Sequence, residues 1–252
     1  MQIVPPGETC FEWINEQGQS PFVLVCEHAS NHVPAGLSGL GLSEPDLKRH
    51  IAYDIGAAGT ARLLSKLLDA PLIVQRFSLL IYDCNRSPEQ PAAMPELSET
   101  TAIPGNINLS AESKMARVNE IYRLFHHALE QFLDLRAVQH KKTSLVSIHS
   151  FTRIYKGKPR SVDVGLLFDH DPMLAHLLIK SFPDMKTQLN EPYGPKDGVM
   201  HLMNLHAAPR GLHHLMVEIC NDLIDTERNQ QLWAQRLSVP LQQAAAKLGE
   251  TR

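Results

Sequence analysis

Residues 22–34 read FVLVCEHASNHVP. Five apolar residues, Phe22 to Cys26, stop abruptly at Glu27 and His28. An apolar run this short, without strict alternation, suits a strand covered on both faces. A charged and a polar residue at its end suit a loop that presents side chains into a crevice, where α/β proteins place their sites. The same grammar recurs at LVSI, Leu145 to Ile148, which ends in His149 within SIHSF.

Outward from these two stretches, further apolar runs read as buried strands: Leu72 to Gln75, Leu79 to Tyr82, Val162 to Phe168 and Leu215 to Ile219. Helical patterns lie between them. One starts at Ser43, whose hydroxyl can cap the free amides with Asp46 three residues on, and runs towards Leu68. A second runs from Ser110 towards Gln139, with Val118, Ile121, Phe125, Leu129, Phe132 and Leu133 along one stripe. A third follows Asp171-Pro172. A fourth runs from Thr226 to the C-terminal end, where Pro240 should kink or split it. Strands alternating with helices predict an α/β fold: one three-layer domain over residues 1–252, with a mostly parallel or mixed central sheet and helices on both faces. Residues 84–109 and 185–214 are rich in Pro, Gly and Asn. Loops of that length are usually functional or disordered.

The composition is that of a soluble globular protein, with 43% hydrophobic and 20% charged residues. A net charge of −3 argues against broad nucleic-acid binding. No apolar run nears the roughly 20 residues needed to span a bilayer, so no membrane partner is expected. The opening MQIVPPGETCFEW lacks a basic segment followed by an apolar core, so we expect no signal peptide. The four cysteines form no CxxC pair, which suits a reduced, cytoplasmic protein, and Cys26 and Cys220 read as small buried hydrophobes. Thirteen histidines justify a search for metal ligands.

His28 and His149, each at a strand end, can converge on one ion, because metal ligands must come from separate elements. Either histidine could instead be satisfied by a backbone carbonyl. Asp54, in HIAYDIGAAG, falls on the apolar face of the first predicted helix with Ile51 and Ala58. A carboxylate there needs a metal or a salt-bridge partner. Glu218 interrupts the buried run LMVEI and is either an ion-pair partner or a base acting on water beside a metal. Arg86, in DCNRSPEQP, either grips a substrate carboxylate in two-pronged fashion or pins its own loop. His32 reads as a solvated loop residue, and His213-His214 as a loop end. No GxSxG, Walker, HExxH or GxGxxG motif is present.

EHASNHVP, HIAYDIGA, DCNR with its Pro-rich loop to IPGN, SIHSF, NEPYGPKDGV and RGLHHLMVEICNDLI together resemble the N-formylglutamate amidohydrolase family, in order and spacing over nearly the whole chain. The resemblance implies a zinc-dependent exopeptidase-like fold. It implies one divalent ion, zinc by preference, held by His28, Asp54 and His149, with Glu218 as the catalytic proton shuttle. Asn85 and Arg86 would bind the carboxylate of a small N-acyl amino acid. The implied reaction converts N-formyl-L-glutamate and water to formate and L-glutamate, in histidine degradation. In carboxypeptidase-like relatives the carboxylate ligand is a glutamate three residues after the first histidine. Asn31 stands there, which favours Asp54, with Glu27 as the alternative. Family members often carry arginine where Cys220 stands. Two other readings remain open: a peptidase-like or cell-wall-type amidase on the same scaffold, and a binding protein without turnover. Oligomeric state is not legible.

Overall fold

The computed structural model describes residues 2–250. Seven strands form one mixed sheet: β1 (Phe11–Ile14), β2 (Phe22–Cys26), β3 (Leu72–Gln75), β4 (Ser144–Phe151), β5 (Val164–Leu167), β6 (Thr187–Leu189) and β7 (His213–Cys220), in the order β1-β3-β2-β4-β7-β5-β6. The three central strands β2, β4 and β7 are parallel. β3 continues parallel to β2, β1 pairs antiparallel to β3, and β5 pairs antiparallel to β7.

Alternation along each strand sends residues to opposite faces. Phe22, Leu24 and Cys26, with Val146, Ile148, Val217 and Ile219, join one core. This core packs under helices α1 (Ala57–Leu68), α4 (Met173–Leu178) and α6 (Glu227–Glu250). Val23, Val25, Leu145 and Met216 point the other way, towards the helix pair α2 (Ala111–Arg117) and α3 (Arg123–Val138), which a π turn joins through Val118–Tyr122. Of the predicted stripe, Val118, Ile121, Phe125, Leu129 and Leu133 are buried there and Phe132 is partly buried. The sheet is thus covered on both faces, which is why its strands read as continuous apolar runs. A further short helix, α5 (His201–His206), belongs to the second long loop. Among the described residues no helix is long and apolar enough to cross a membrane.

Several expectations are corrected. Leu79 to Tyr82 is a buried turn, not a strand. Its carbonyls are taken by side chains instead of a ladder: Asn106 Nδ2 donates to Leu80 O at 2.8 Å and the buried Arg117 donates to Ile81 O at 3.0 Å. Burial demands partners for the backbone, and side chains supply them as well as a neighbouring strand does. The helix expected from Ser43 to Leu68 is broken. Ser43 caps a single turn, Glu44–Leu47, as expected, but the chain then leaves helical geometry until Ala57. Asp54 lies in this gap, its N–H donating to His28 O at 2.9 Å. The helix α6 runs unbroken through Pro240, so the expected split does not occur. His213 and His214 open strand β7 rather than closing a loop.

Gly56 sits between Asp54 and α1 with φ +80°, and a Cβ there would run into the carbonyl oxygen of Ile224. A left-handed residue and a backbone obstruction act together, so Gly56→Ala is expected to cost roughly 2 kcal/mol or more. A denaturant titration within about 0.5 kcal/mol of wild type would show that this junction yields freely.

Candidate active site

The parallel strands β2, β4 and β7 end side by side, and their C-terminal ends carry the candidate residues. Register sets the order. Val25 pairs with Ser147, and Glu218 pairs with His149 on one side and Gly165 on the other. Glu27, His149 and Glu218 continue the same strand face as Val25, Leu145 and Met216, because each is an even number of residues further on. All three are buried, at 0%, 2% and 6% exposure.

The two expected histidines meet here. Their ring centres lie 4.8 Å apart, nearly perpendicular. Asp54 reaches between them: its Oδ2 is 2.8 Å from His149 Nδ1 and 3.3 Å from His28 Nδ1, and it accepts the Ser150 N–H at 3.1 Å. One ligand atom from each of His28, Asp54 and His149 falls within 4.8 Å of the others, so the three could hold a metal ion. The outer ring nitrogens are backed by carboxylates. His28 Nε2 lies 2.8 Å from Asp83 Oδ1, and His149 Nε2 lies 3.0 Å from Glu27 Oε2, an ion-pair distance without hydrogen-bond alignment. Ser147 donates to the same Glu27 oxygen at 3.0 Å.

Burial disfavours a charged His28, yet Asp83 and Asp54 outweigh it and push the imidazole up to about 10. His149 is raised by Glu27 and Asp54 against the same penalty of burial. Asp54 is also penalised by burial, but the two histidines hold it well below the usual carboxylate range. Three carboxylates thus surround two imidazoles, a field that draws in positive charge as protons or as a metal cation. Glu218 behaves differently. Burial raises it to about 7; His149 opposes that shift and Asp54 reinforces it. Among the described residues its Oε2 is buried without a hydrogen-bond partner, as are Glu27 Oε1 and His149 Nε2.

These groups open into a cleft of about 240 Å³. That is smaller than the roughly 300–1,000 Å³ of clefts for drug-sized ligands. Both long loops help wall it, through Asn85, Arg86 and Glu99 from the first and Tyr193 and Val199 from the second, and Asp83 adjoins the first.

The sequence profile of the N-formylglutamate amidohydrolase family matches residues 20–225, a span holding every residue of this cleft. The chain belongs to that family. A gene product of Agrobacterium tumefaciens of known structure is 39% identical over 98% of this chain and 100% of its own, with a TM-score of 0.96. The N-formylglutamate amidohydrolase of Ralstonia eutropha JMP134 shares the fold at a TM-score of 0.70, with 16% identity over 97% of this chain and 100% of its own. No curated protein sequence matches the chain.

Within this amidohydrolase fold, the expected residues fare unequally. His28, Asp54, His149 and Glu218 all line the one cleft. Glu27 lies behind His149 rather than between the histidines. Asn85 borders the cleft, but its amide is committed to the second loop, donating to Val199 O and accepting from Leu202 N. Arg86 lines the cleft too; its Nε is 3.6 Å from Asp83 Oδ2, and one terminal nitrogen donates to Asp197 O at 2.6 Å. Asn31 donates to Leu47 O and His32 is exposed, as a solvated residue should be. Cys26 and Cys220 are fully buried. The place of Asp83 behind His28 is not foreseen by the sequence reading, although DCNR stands out in it. His50, Tyr155 and Tyr193 line the cleft with no local signal in the sequence.

Proposed function

We propose that this protein hydrolyses the amide bond of a small N-acyl amino acid, with N-formyl-L-glutamate as the first candidate. The observation that carries this reading is the meeting of two histidines, Asp54 and Glu218 in one cleft of an amidohydrolase family member. The donor set fits a divalent ion. Two imidazoles and one carboxylate suit zinc, catalytic zinc sites commonly have three protein ligands, and both rings have carboxylates behind them as such ligands usually do. His28, Asp54 and His149 would hold the ion, which when bound polarises a carbonyl and lowers the pKa of water.

Glu218 is the group placed to move the proton. Its unpartnered Oε2 and raised pKa equip it to take a proton from the attacking water near neutral pH. Water adds to the acyl carbon, the C–N bond breaks, and Glu218 returns the proton to the leaving nitrogen. Formylglutamate would give formate and L-glutamate, a step suited to histidine degradation. Arg86, which lines the cleft, would take the substrate carboxylate, while Asn85 supports it by holding the second loop. Four buried, unbridged cysteines support a reducing, cytoplasmic setting.

Purified protein incubated with N-formyl-L-glutamate and added Zn²⁺ is expected to release formate and glutamate in equal amounts. A chelator should stop the release and zinc restore it. Absence of release with Zn²⁺, Mn²⁺ or Co²⁺ across a panel of N-formyl and N-acetyl amino acids would favour a binding protein.

A further inference from the structure

Arg160 follows a hairpin made of Ile154–Tyr155 and Lys158–Pro159 beside the cleft. Its guanidinium carbon lies 4.5 Å from the ring centre of Tyr155, 4.6 Å from that of Tyr193 and 5.7 Å from that of Phe151. All three rings line the cleft that holds the histidines and Glu218. Ring faces attract a cation and strip water from it without neutralising it.

The other arginines at this end of the sheet answer to carboxylates. Arg49 pairs with Asp46 and Glu99, Arg86 with Asp83, and Arg153 with Asp163 and Asp222. Among the described residues Arg160 has no ion-pair partner; its polar contacts are the Thr152 carbonyl at 3.4 Å and the Tyr193 side chain. Its backbone is firmly held. Arg160 N–H donates to Arg153 O at 2.8 Å, and Arg153 donates back to Arg160 O at 3.3 Å while bridged to Asp163 and Asp222. Tyr193 is held as well: the Glu191 carbonyl packs where a Cβ on Gly165 would stand, and Gly165 is the strand partner of Glu218. The charge of Arg160 is felt at Glu218 and at His50, both on the cleft wall.

We propose that Arg160 is a specificity residue that receives a second carboxylate of the substrate, so that the cleft prefers N-acyl dicarboxylic amino acids over their neutral counterparts. The proposal rests on the amide-hydrolase reading above. Arg86 lines the cleft from one loop and Arg160 packs against three of its rings from another, so a substrate with two carboxylates would engage both. A carboxylate ligand also supplies the counter-charge that the aromatic cradle lacks, in a planar two-pronged contact suited to guanidinium.

The test compares N-formyl-L-glutamate with N-formyl-L-glutamine, nearly identical in shape but neutral in side chain, on zinc-loaded wild type, Arg160→Gln and Arg160→Lys. Binding of L-glutamate and L-glutamine to the same proteins is measured in parallel by calorimetry, which needs no turnover. Arg160→Gln is expected to lower kcat/KM for formylglutamate about 10–100-fold, as loss of a charged hydrogen bond does. Formylglutamine should change by no more than about threefold, and Arg160→Lys should recover part of the loss. Equal losses on both substrates, or none on either, overturn the proposal and leave Arg160 as a pin for the hairpin. If wild type hydrolyses neither compound, the hydrolase reading fails by itself and the calorimetry decides. A preference for glutamate over glutamine that disappears in Arg160→Gln sustains the proposal, and no such preference overturns it.

Discussion

Glu218→Gln should lower turnover by about 10²–10⁴-fold, the usual worth of a positioned acid–base group, or by more, while metal content and fold stay as in wild type. Glutamine matches glutamate in size, so the packing beside His149 and Gly165 should survive. The competing account makes Glu218 a buried ion-pair member, whose loss would strand a cation and cost about 3–5 kcal/mol. No lysine or arginine pairs with it among the described residues, and its Oε2 has no hydrogen-bond partner. Its pKa also argues for a sign. A carboxyl raised to about 7 in the folded chain binds its proton more tightly there than when unfolded. Wild-type stability contributed by that proton is therefore lost as pH rises from the ordinary carboxylate range through about 7, whereas the neutral amide of the variant has no proton to lose over that range. In metal-free protein the melting temperature of Glu218→Gln should equal or exceed that of wild type, with a gap that widens over this window. A lowered melt with normal turnover in the remaining folded protein would remove Glu218 from the mechanism.

Removal of the ligands should have the second large effect. Elemental analysis is expected to find about one zinc per wild-type chain and nearly none in His28→Ala or His149→Ala, with activity abolished in both. Asp54→Asn should follow them, because its Oδ2 lies between the two rings. Glu27→Gln should keep more metal, since Glu27 orients His149 from behind, and loss of such support typically costs about 10–100-fold in affinity or activity. His149→Ala should also lower the melting temperature of the metal-free protein, because it takes the facing cation from the buried Glu27 and leaves Asp54 only His28. Full zinc occupancy in both histidine variants would refute the ligand set. A larger metal loss in Glu27→Gln than in Asp54→Asn would move the carboxylate ligand to Glu27.

Much of this site is legible because a buried strand has few ways to end. FVLVC followed by Glu27-His28 marks a strand end by its abrupt change of polarity, whereas His149 after LVSI lies inside its strand, which runs on to Phe151 in register with β7. Glu218 stands out because an ionisable residue in a buried run needs a reason. Asp54 does reach the cleft, but not from the helix its neighbours suggest. HIAYDIGAAG has helical spacing of apolar residues, yet Gly56 takes a left-handed φ and the Asp54 N–H is drawn to the His28 carbonyl. Local propensity is overridden by a contact with a residue on a different strand end, far back along the chain. LLIY fails as a strand for the same kind of reason, since Asn106 and Arg117 satisfy the carbonyls that a strand would have paired.

By itself the sequence determined the sheet's central strands, the two-sided burial of those strands, the family, and which four residues were worth watching. Those properties follow from short-range patterns of polarity, where each residue reports its own burial. Only the tertiary structure decided that Asp54 stands between the histidines while Glu27 and Asp83 stand behind them, and that Arg160, with no ion-pair partner among the described residues, sits amid three cleft-lining rings. Such distinctions depend on distances between side chains carried by separate strands and loops. Strand register and loop closure set those distances, and neither is encoded in the identity of the residues that meet.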